Sequence, residues 1–446
     1  MEHRAPEMQN IEKQIKRHIY GKPQSAIACF PAGLGTIGQE EIESILNHLW
    51  FEQKFKSKCT LLKNEIRIEN IHFFALSEML MRSLCLSDLR LVLFEGNSPG
   101  REAFAARCRS IRWDYYVDSS MSLKIKVDSV ASGAFHESGL KDILTDILKP
   151  RGIGVVSGEN TRETTCLHAG LYKDKLTVSI SLAGTPLYKR GYRGALSASA
   201  PLREDAAACA IRKAFHFSRR HKENLSIDTL WVPFSGTGTF VFEYLEYHYQ
   251  HAPCLLNREY ALQKMPLFRK ENFAFLLKKA RENSKLASRL AAENRLNILC
   301  MDPSAPANDA LLKNIENFKK TCDRDNSDFI KPGESVFREN FLKLNTGDIA
   351  DFMKKKLGNV FLPLNPPYGI RLKDRAAPGV FYSNIGKKVF ELAVKLEKEN
   401  HNLLGFILCP DEESWAAFGK CMRGTEMETY HFTQGGMDIR VCQFFR

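Results

Sequence analysis

The sequence lacks the features that mark several large classes of protein. Its twelve cysteines are scattered from Cys29 to Cys442, and no two of them form a C-x-x-C pair. A zinc site is therefore not expected, and a disulfide framework is uncommon in so long a chain. No apolar run reaches the ~18 residues that span a bilayer, and residues 1–10 are too polar for a signal peptide. We expect a soluble, cytoplasmic protein with reduced thiols, no metal and no membrane segment.

The length and the net charge of the chain indicate the number of domains and the kind of partner. A chain of 446 residues is too long for one compact core, so two or three domains are expected. The 64 lysines and arginines exceed the 52 aspartates and glutamates, which gives a formal net charge of +12. This excess favours a polyanionic partner such as nucleic acid, although charge alone does not establish one.

The pattern of apolar residues changes near residue 184. Before it, the sequence predicts a mixed α+β region, with strand-like runs at 26–30, 61–68, 89–94, 123–127 and 176–182 and helical runs at 39–49 and 141–148. After the turn-rich stretch 184–194, helical segments alternate with apolar strands at 229–234, 297–301, 359–364 and 403–409. Such alternation predicts a largely parallel sheet covered on both faces, which binds ligands at the carboxyl ends of its strands.

The first of these strand-end loops, residues 233–239, contains two glycines. Gly236 and Gly238 allow a tight turn and the close approach of a ligand, because they carry no Cβ. The third glycine position of a dinucleotide-binding motif holds Val241, and no Gly-Lys-Ser/Thr follows as in a P-loop. A glycine turn without phosphate-binding features favours a nucleoside ligand that carries no phosphate.

The next two strands are followed by Asp302 and Asn340. An acid at the end of a strand can accept hydrogen bonds from ribose hydroxyls, and the alternative is a helix cap. Since Asp302 comes one βα unit after the glycine turn, the ribose role is favoured. Asn340 follows a short strand at 337–338, where it could border an adenine.

The most informative loop is Asn-Pro-Pro-Tyr-Gly at residues 365–369. Two consecutive prolines stiffen the chain and remove two backbone donors. The side chain of Asn365 and the carbonyl of Pro366 can then accept hydrogen bonds from an aromatic amino group, whose nitrogen becomes more nucleophilic. Tyr368 offers a flat face for a base swung out of its stack. The alternative is a purely structural Pro-Pro turn.

Together, the three loops predict direct in-line displacement at a sulfonium methyl group. This reaction requires neither a metal nor a covalent intermediate, and positioning and prearranged polar groups supply the catalysis. The twelve histidines show no spacing that sets up a catalytic triad.

The chain resembles the THUMP-containing RNA methyltransferases, most closely the bacterial 23S rRNA guanine-N2 methyltransferase branch. The motif at 365–369 matches directly, and the resemblance covers nearly the whole chain after about residue 25. The other resembling segments are 31–35, 82–93, 111–113, 123–148, 187–193, 200–204 and 252–268.

The resemblance implies an α/β fold, in which a Rossmann-like class I methyltransferase domain follows an α+β ferredoxin-like and THUMP RNA-binding region. The expected domains are an N-terminal extension over 1–25, the RNA-binding region over 26–185 and the methyltransferase domain over 186–446. The implied cofactor is S-adenosylmethionine (SAM), and the implied product is N2-methylguanosine in 23S rRNA.

Site residues are predicted from the loops and the resemblance together. Those expected to bind the cofactor are Pro233, Ser235, Gly236, Thr237, Gly238, Thr239, Asp302, Pro303, Asn340 and Asn365. Those expected to act on the amino group are Asn365, Pro366, Pro367 and Tyr368. In addition, Asn314 falls where the family has an asparagine on the helix after the ribose acid.

Three positions depart from the family pattern. Val232 and Asn340 stand where the family usually has an aspartate, and Ser304 stands where it usually has a second acid. Loss of acids near the cofactor would weaken its binding, so a catalytically silent RNA-binding factor stays an alternative. A further alternative is an amino-group methyltransferase that acts on adenine, DNA or a protein glutamine.

The expected partner is structured RNA, with 23S rRNA favoured over tRNA, and the oligomeric state is left open. Basic clusters are more often solvated surface, but together they could form a track for phosphates. The residues expected to contact RNA are Lys124, Lys126, Lys189, Arg190, Arg193 and Arg371.

Overall fold

The computed structural model divides the chain into two compact units. It describes residues 4–49, 55–63, 65–132, 136–156, 164–194, 202–292, 296–321, 330–345, 357–367 and 378–446. The first unit contains residues 1–30, 38–189 and 258–279, and the second contains 31–37, 190–257 and 280–446. The two units are interleaved along the chain, and the functional domain limits taken from the sequence stay predictions.

The first unit is built on an eight-stranded sheet in the order β2-β3-β1-β4-β8-β7-β5-β6. Its strands are β1 (Gln24–Cys29), β2 (Lys58–Leu61), β3 (Glu65–Ile71), β4 (Asp88–Asn97), β5 (Ser122–Val130), β6 (Gly154–Val155), β7 (Thr164–Tyr172) and β8 (Lys175–Ser181). β5 pairs in parallel with β6 and β7, and the other neighbours are antiparallel.

The first unit also contains helices. Those of the first unit are α1 (Arg4–Ile15), α3 (Phe73–Arg82), α4 (Arg101–Ser110) and α5 (Glu137–Leu148), while α2 (Gly35–Asn47) and α8 (Lys270–Ala292) contribute to both units. β5 confirms the strand predicted at 123–127, and within it Leu123 and Ile125 are buried whereas Lys126 is exposed, because successive side chains point to opposite faces. Residues 61–68, expected as one strand, span the end of β2 and part of β3.

Residues 4–20, within the segment expected to be an N-terminal extension, are helical. Ile15 and Ile19 are each at most 2% exposed, because four-residue spacing places them on one helical face. The hydroxyl of Tyr20 donates a hydrogen bond of 3.0 Å to the carbonyl of Leu267. The segment is therefore part of the folded first unit.

His168 lies in β7 between Lys126 of β5 and Ser179 of β8. Burial, together with the positive charges of Arg90 and Lys126, lowers the pKa of His168 from 6.5 to about 3. The folded protein therefore resists protonation of this ring, whereas the unfolded chain takes up a proton as the pH falls through 6.5.

We expect acid to destabilise the protein through His168. Between pH 7 and pH 5, uptake of this proton by the unfolded chain should lower the free energy of unfolding by about 2 kcal/mol. The loss should continue until the pH approaches the folded-state value. Denaturant unfolding at both pH values should show that His168→Gln loses about 2 kcal/mol less than the wild type. Equal losses in the two proteins would contradict this role.

The second unit contains a seven-stranded sheet in the order β11-β10-β9-β12-β13-β15-β14. Its strands are β9 (Thr229–Val232), β10 (Asn297–Met301), β11 (Val336–Phe337), β12 (Val360–Leu364), β13 (Leu403–Cys409), β14 (Glu426–Gln434) and β15 (Met437–Phe445). The five strands from β11 to β13 are parallel, which confirms the predicted sheet. β15 is antiparallel to both β13 and β14, a hairpin that the sequence did not predict.

Helices cover both faces of this sheet. They are α6 (Glu204–Arg219), α7 (Thr239–His248), α9 (Ala305–Thr321), α10 (Pro332–Ser335), α11 (Pro378–Lys398) and α12 (Glu412–Gly419). On one face, the ring of Phe361 lies 5.2 Å from Phe215 of α6 and 5.1 Å from Tyr244 of α7, centroid to centroid. On the other face, Leu362 shares an apolar cluster with Tyr382 of α11. None of the helices in the described part of the chain combines the length and the apolar character needed to cross a membrane.

Candidate functional site

Three predicted loops meet at one edge of the second sheet. β9 lies between β10 and β12, and the three strands are parallel, so the loops that follow them are neighbours. The chain builds the sheet outward from β9 to β11 and then returns to place β12 on the other side of β9. The carboxyl ends of β9 and β12 therefore border a topological switch point, where open α/β sheets bind ligands.

The glycine turn after β9 has the backbone that its sequence predicts. Gly236 and Gly238 have φ values of +49° and +91°, which residues with a Cβ rarely adopt. A Cβ at Gly238 would lie 2.5 Å from Leu311 of α9, so a larger residue does not fit there. At Gly236, by contrast, no described atom lies within 4 Å of the Cβ position, which leaves the turn open to a ligand.

Asp302 is bonded directly to the glycine turn. Its Oδ2 accepts a hydrogen bond of 3.0 Å from the backbone N–H of Gly236, and its Oδ1 accepts one of 2.9 Å from that of Ser304. The carboxylate thus holds two strand-end loops together and is only partly buried. Each carboxylate oxygen has a second lone pair, so the group can still accept a ribose hydroxyl.

Three buried polar atoms at this edge have no hydrogen-bond partner among the described residues. They are the Oγ of Ser235, the Oδ1 of Asn365 and the Oδ1 of Asn308, whose amide nitrogen bonds to the carbonyl of Asp302. The first two lie in the loops after β9 and β12. Buried polar atoms are nearly always paired in folded proteins, so exceptions such as these need an explanation. A bound ligand that donates hydrogen bonds to both loops would satisfy the atoms of Ser235 and Asn365.

Other predicted site residues form hydrogen bonds within the protein or differ in their burial. Asn340 accepts a hydrogen bond of 3.0 Å from the N–H of Leu342, and Thr239 accepts one of 2.8 Å from Arg193. The carbonyl of Thr237 accepts one of 2.9 Å from Asn314. Pro233 and Pro366 are buried, Pro367 is partly buried and Pro303 is exposed. Tyr368, Gly369 and Arg371 lie outside the described residues.

Aromatic residues that the sequence did not single out lie beside the glycine turn. Phe234 is partly buried, and its ring centroid lies 6.2 Å from that of Phe341 and 6.4 Å from that of Phe381. Phe381 belongs to α11, far along the chain, so no local pattern links it to the turn. Among the described residues there is no group of three or more potential metal ligands.

Comparison with known proteins finds relatives that are named ribosomal RNA methyltransferases. No protein-family profile matches the sequence. A ribosomal RNA large subunit methyltransferase K/L of Legionella pneumophila is 25% identical over 236 residues, which cover 49% of this chain and 33% of the relative. The corresponding protein of Cellvibrio japonicus is 26% identical over 309 residues, covering 68% and 37%. The chain thus spans between about a fifth and somewhat over a third of the length of such relatives.

Solved structures resemble the chain over nearly its full length. SMU.472, assigned as a methyltransferase and crystallised with SAH, has a TM-score of 0.71 at 18% identity and covers 95% of this chain and 98% of its own. A predicted N6-adenine-specific DNA methylase from Listeria monocytogenes has a TM-score of 0.68 at 18% identity, covering 95% and 97%. The chain has a mixed α/β, Rossmann-like methyltransferase fold. At this identity, the likeness establishes the fold alone.

The prediction that Arg190 contacts RNA is wrong. Its side chain is 1% exposed and forms an ion pair of 3.2 Å with Glu243 on α7. A buried guanidinium with a buried carboxylate partner cannot reach a phosphate in solution, and counts of basic residues in the sequence do not reveal such a partner.

The other basic residues differ in their surroundings. The guanidinium of Arg193 donates hydrogen bonds to Thr239 and to the carbonyl of Leu202 and forms an ion pair with Glu204, so its charge is already engaged. Lys126 and Lys189 are exposed, whereas Lys124 is partly buried. Lys126 and Lys189 therefore stay the better candidates for RNA contacts.

Proposed function

We propose that this chain is a SAM-dependent RNA methyltransferase of the cytoplasm that forms N2-methylguanosine in 23S rRNA. The observation that carries the proposal is the meeting of a glycine turn, an acid and an Asn-Pro-Pro loop at one sheet edge. The names of the relatives support ribosomal RNA as the substrate, although the chain spans only part of their length.

The residues at the edge fit the cofactor. The open face at Gly236 admits a nucleoside, and Asp302 stands beside it as an acceptor for ribose hydroxyls. The unpartnered Oγ of Ser235 can bond to the methionine part. When bound, SAM supplies a methyl group made electrophilic by its positively charged sulfur.

The Asn-Pro-Pro loop fits an aromatic amino group. The unpartnered Oδ1 of Asn365 and the carbonyl of Pro366 would each accept one of its hydrogens, which holds the nitrogen and directs its lone pair away from the ring. The methylated nitrogen is strongly acidic until it releases a proton, so no strong base is required. Catalysis then depends mainly on positioning and on polar groups arranged before the reaction.

We assign RNA docking to residues 26–185 as a ferredoxin-like and THUMP region. The exposed Lys126 supports this assignment, as does the exposed Lys189 just beyond that range. Lysines of this kind contribute phosphate contacts that weaken with added salt. The RNA is 23S rRNA, with tRNA as the alternative.

The proposal is tested with the full chain, SAM labelled in its methyl group, and rRNA and tRNA from cells that lack the gene. Calorimetry should show SAM binding, and label should appear in N2-methylguanosine of the 23S rRNA. Label in tRNA would show that tRNA, not 23S rRNA, is the substrate. Label in adenine would show that the acceptor is the amino group of adenine, not that of guanine. Binding of RNA without SAM would favour the silent RNA-binding factor, since Val232, Ser304 and Asn340 replace acids.

A further inference from the structure

Residues 190–194, here called the strap, are bonded to the glycine turn and to the helix that follows it. The hydroxyl of Tyr192 donates a hydrogen bond of 3.1 Å to Glu243 of α7, the same carboxylate that pairs with Arg190. The ring of Tyr192 lies 4.5 Å from that of Phe242, centroid to centroid. The strap is thus anchored to α7 by two buried polar contacts and one aromatic contact.

Asn314 of α9 links the strap to the turn itself. Its Oδ1 accepts a hydrogen bond of 3.0 Å from the N–H of Gly194, and its Nδ2 donates one of 2.9 Å to the carbonyl of Thr237. The Asn314 residue is 4% exposed, so water does not readily replace either partner. The oxygen and the nitrogen of the Asn314 amide are thus both hydrogen-bonded, and both bonds require the same orientation of the amide.

Arg193 makes a second link two residues further along the turn. It donates a hydrogen bond of 2.8 Å to the hydroxyl of Thr239, the first residue of α7, and one of 3.0 Å to the carbonyl of Leu202. Its Nε lies 3.4 Å from Glu204 of α6. The residues on both sides of Gly238, which has a positive φ, are therefore held by groups outside the turn.

We propose that Asn314 and Arg193 are positioning residues that hold the glycine turn in its cofactor-binding conformation. This inference rests on the proposed function. Gly236 and Gly238 allow the turn to adopt many conformations, so their presence alone does not select the one that a ligand needs. The carbonyl of Thr237 and the hydroxyl of Thr239 are the points at which the strap and α9 remove that freedom, and preorganisation of this kind raises affinity.

The substitution Asn314→Asp separates the two bonds of the amide. The carboxylate keeps an acceptor for the N–H of Gly194 but places an oxygen against the carbonyl of Thr237, where a donor is needed. We expect the Kd for S-adenosylhomocysteine (SAH) to rise about tenfold or more. The KM for SAM should rise in parallel while kcat changes little, because the amino-group acceptors of the Asn-Pro-Pro loop are untouched.

The matched control is Asn400→Asp, which adds the same charge at an exposed position between α11 and β13, at the edge of the sheet opposite the glycine turn. It should bind SAH like the wild type. Hydrogen exchange over residues 233–242 should be faster in Asn314→Asp than in the wild type and the control. A milder variant, Arg193→Lys, should raise the Kd for SAH as well. These measurements report on the turn even if Asn314→Asp is less stable.

The outcomes separate the two proposals. If the wild type binds SAH and Asn314→Asp and Arg193→Lys bind equally well, the positioning role is overturned and the proposed function stands. If the affinity of Asn314→Asp falls but exchange rises throughout the second unit, the role is merely structural. If the wild type itself binds neither SAM nor SAH, the proposed function fails and the inference fails with it.

Discussion

Replacement of Asn365 by alanine should lower kcat for methyl transfer by about 10² to 10³-fold. The substitution removes the Oδ1 atom, which is buried and has no hydrogen-bond partner among the described residues. If this atom accepts a hydrogen from the substrate amino group, its loss affects the transition state more than the bound ground state. The affinity for SAM should change by only a few fold.

Single-turnover kinetics with saturating SAM and RNA measures this effect without contributions from binding. Asn10→Ala serves as the control, since it removes a carboxamide from an exposed position of α1 and should keep the wild-type rate. A wild-type rate in Asn365→Ala would show that the Asn-Pro-Pro loop is a structural turn.

Replacement of Asp302 by alanine should raise the Kd for SAM about 30-fold or more, equivalent to about 2 kcal/mol. The expected loss has two sources. The variant lacks the acceptor for ribose hydroxyls, and it leaves the N–H groups of Gly236 and Ser304 without their carboxylate partner. Titration calorimetry measures the Kd directly.

Asp309→Ala is the matched control for Asp302→Ala. Asp309 is exposed on α9, and its replacement changes the net charge by the same amount. Its Kd for SAM should equal that of the wild type. Equal affinity in Asp302→Ala and Asp309→Ala would mean that Asp302 only joins the two loops and does not bind the cofactor.

The sequence predicted the elements that local patterns encode. The parallel strands from β9 to β13 show as short apolar runs between helical segments, and Gly238 is required by its φ and by Leu311 beside it. The meeting of the three loops follows from strand order, which βαβ connections restrict to few arrangements. For this reason, the location of the candidate site could be predicted from the sequence.

Features that depend on distant partners were not predicted. From the sequence, Arg190 is expected to be an exposed charge. Its partner Glu243 lies 53 residues away, so no local pattern reveals the pair. Phe381 reaches Phe234 only through the packing of α11. The buried face of residues 11–19 could have been predicted, since Ile11, Ile15 and Ile19 recur every four residues, but the many polar residues around them obscured it.

The central claim is most directly tested by nucleoside mass spectrometry of RNA from cells with and without the gene. Ribosomal and transfer RNA are purified and digested separately, and every methylated nucleoside is quantified. The proposal predicts that N2-methylguanosine falls in 23S rRNA and stays unchanged in tRNA. Unchanged levels of every methylated nucleoside in both fractions would contradict it.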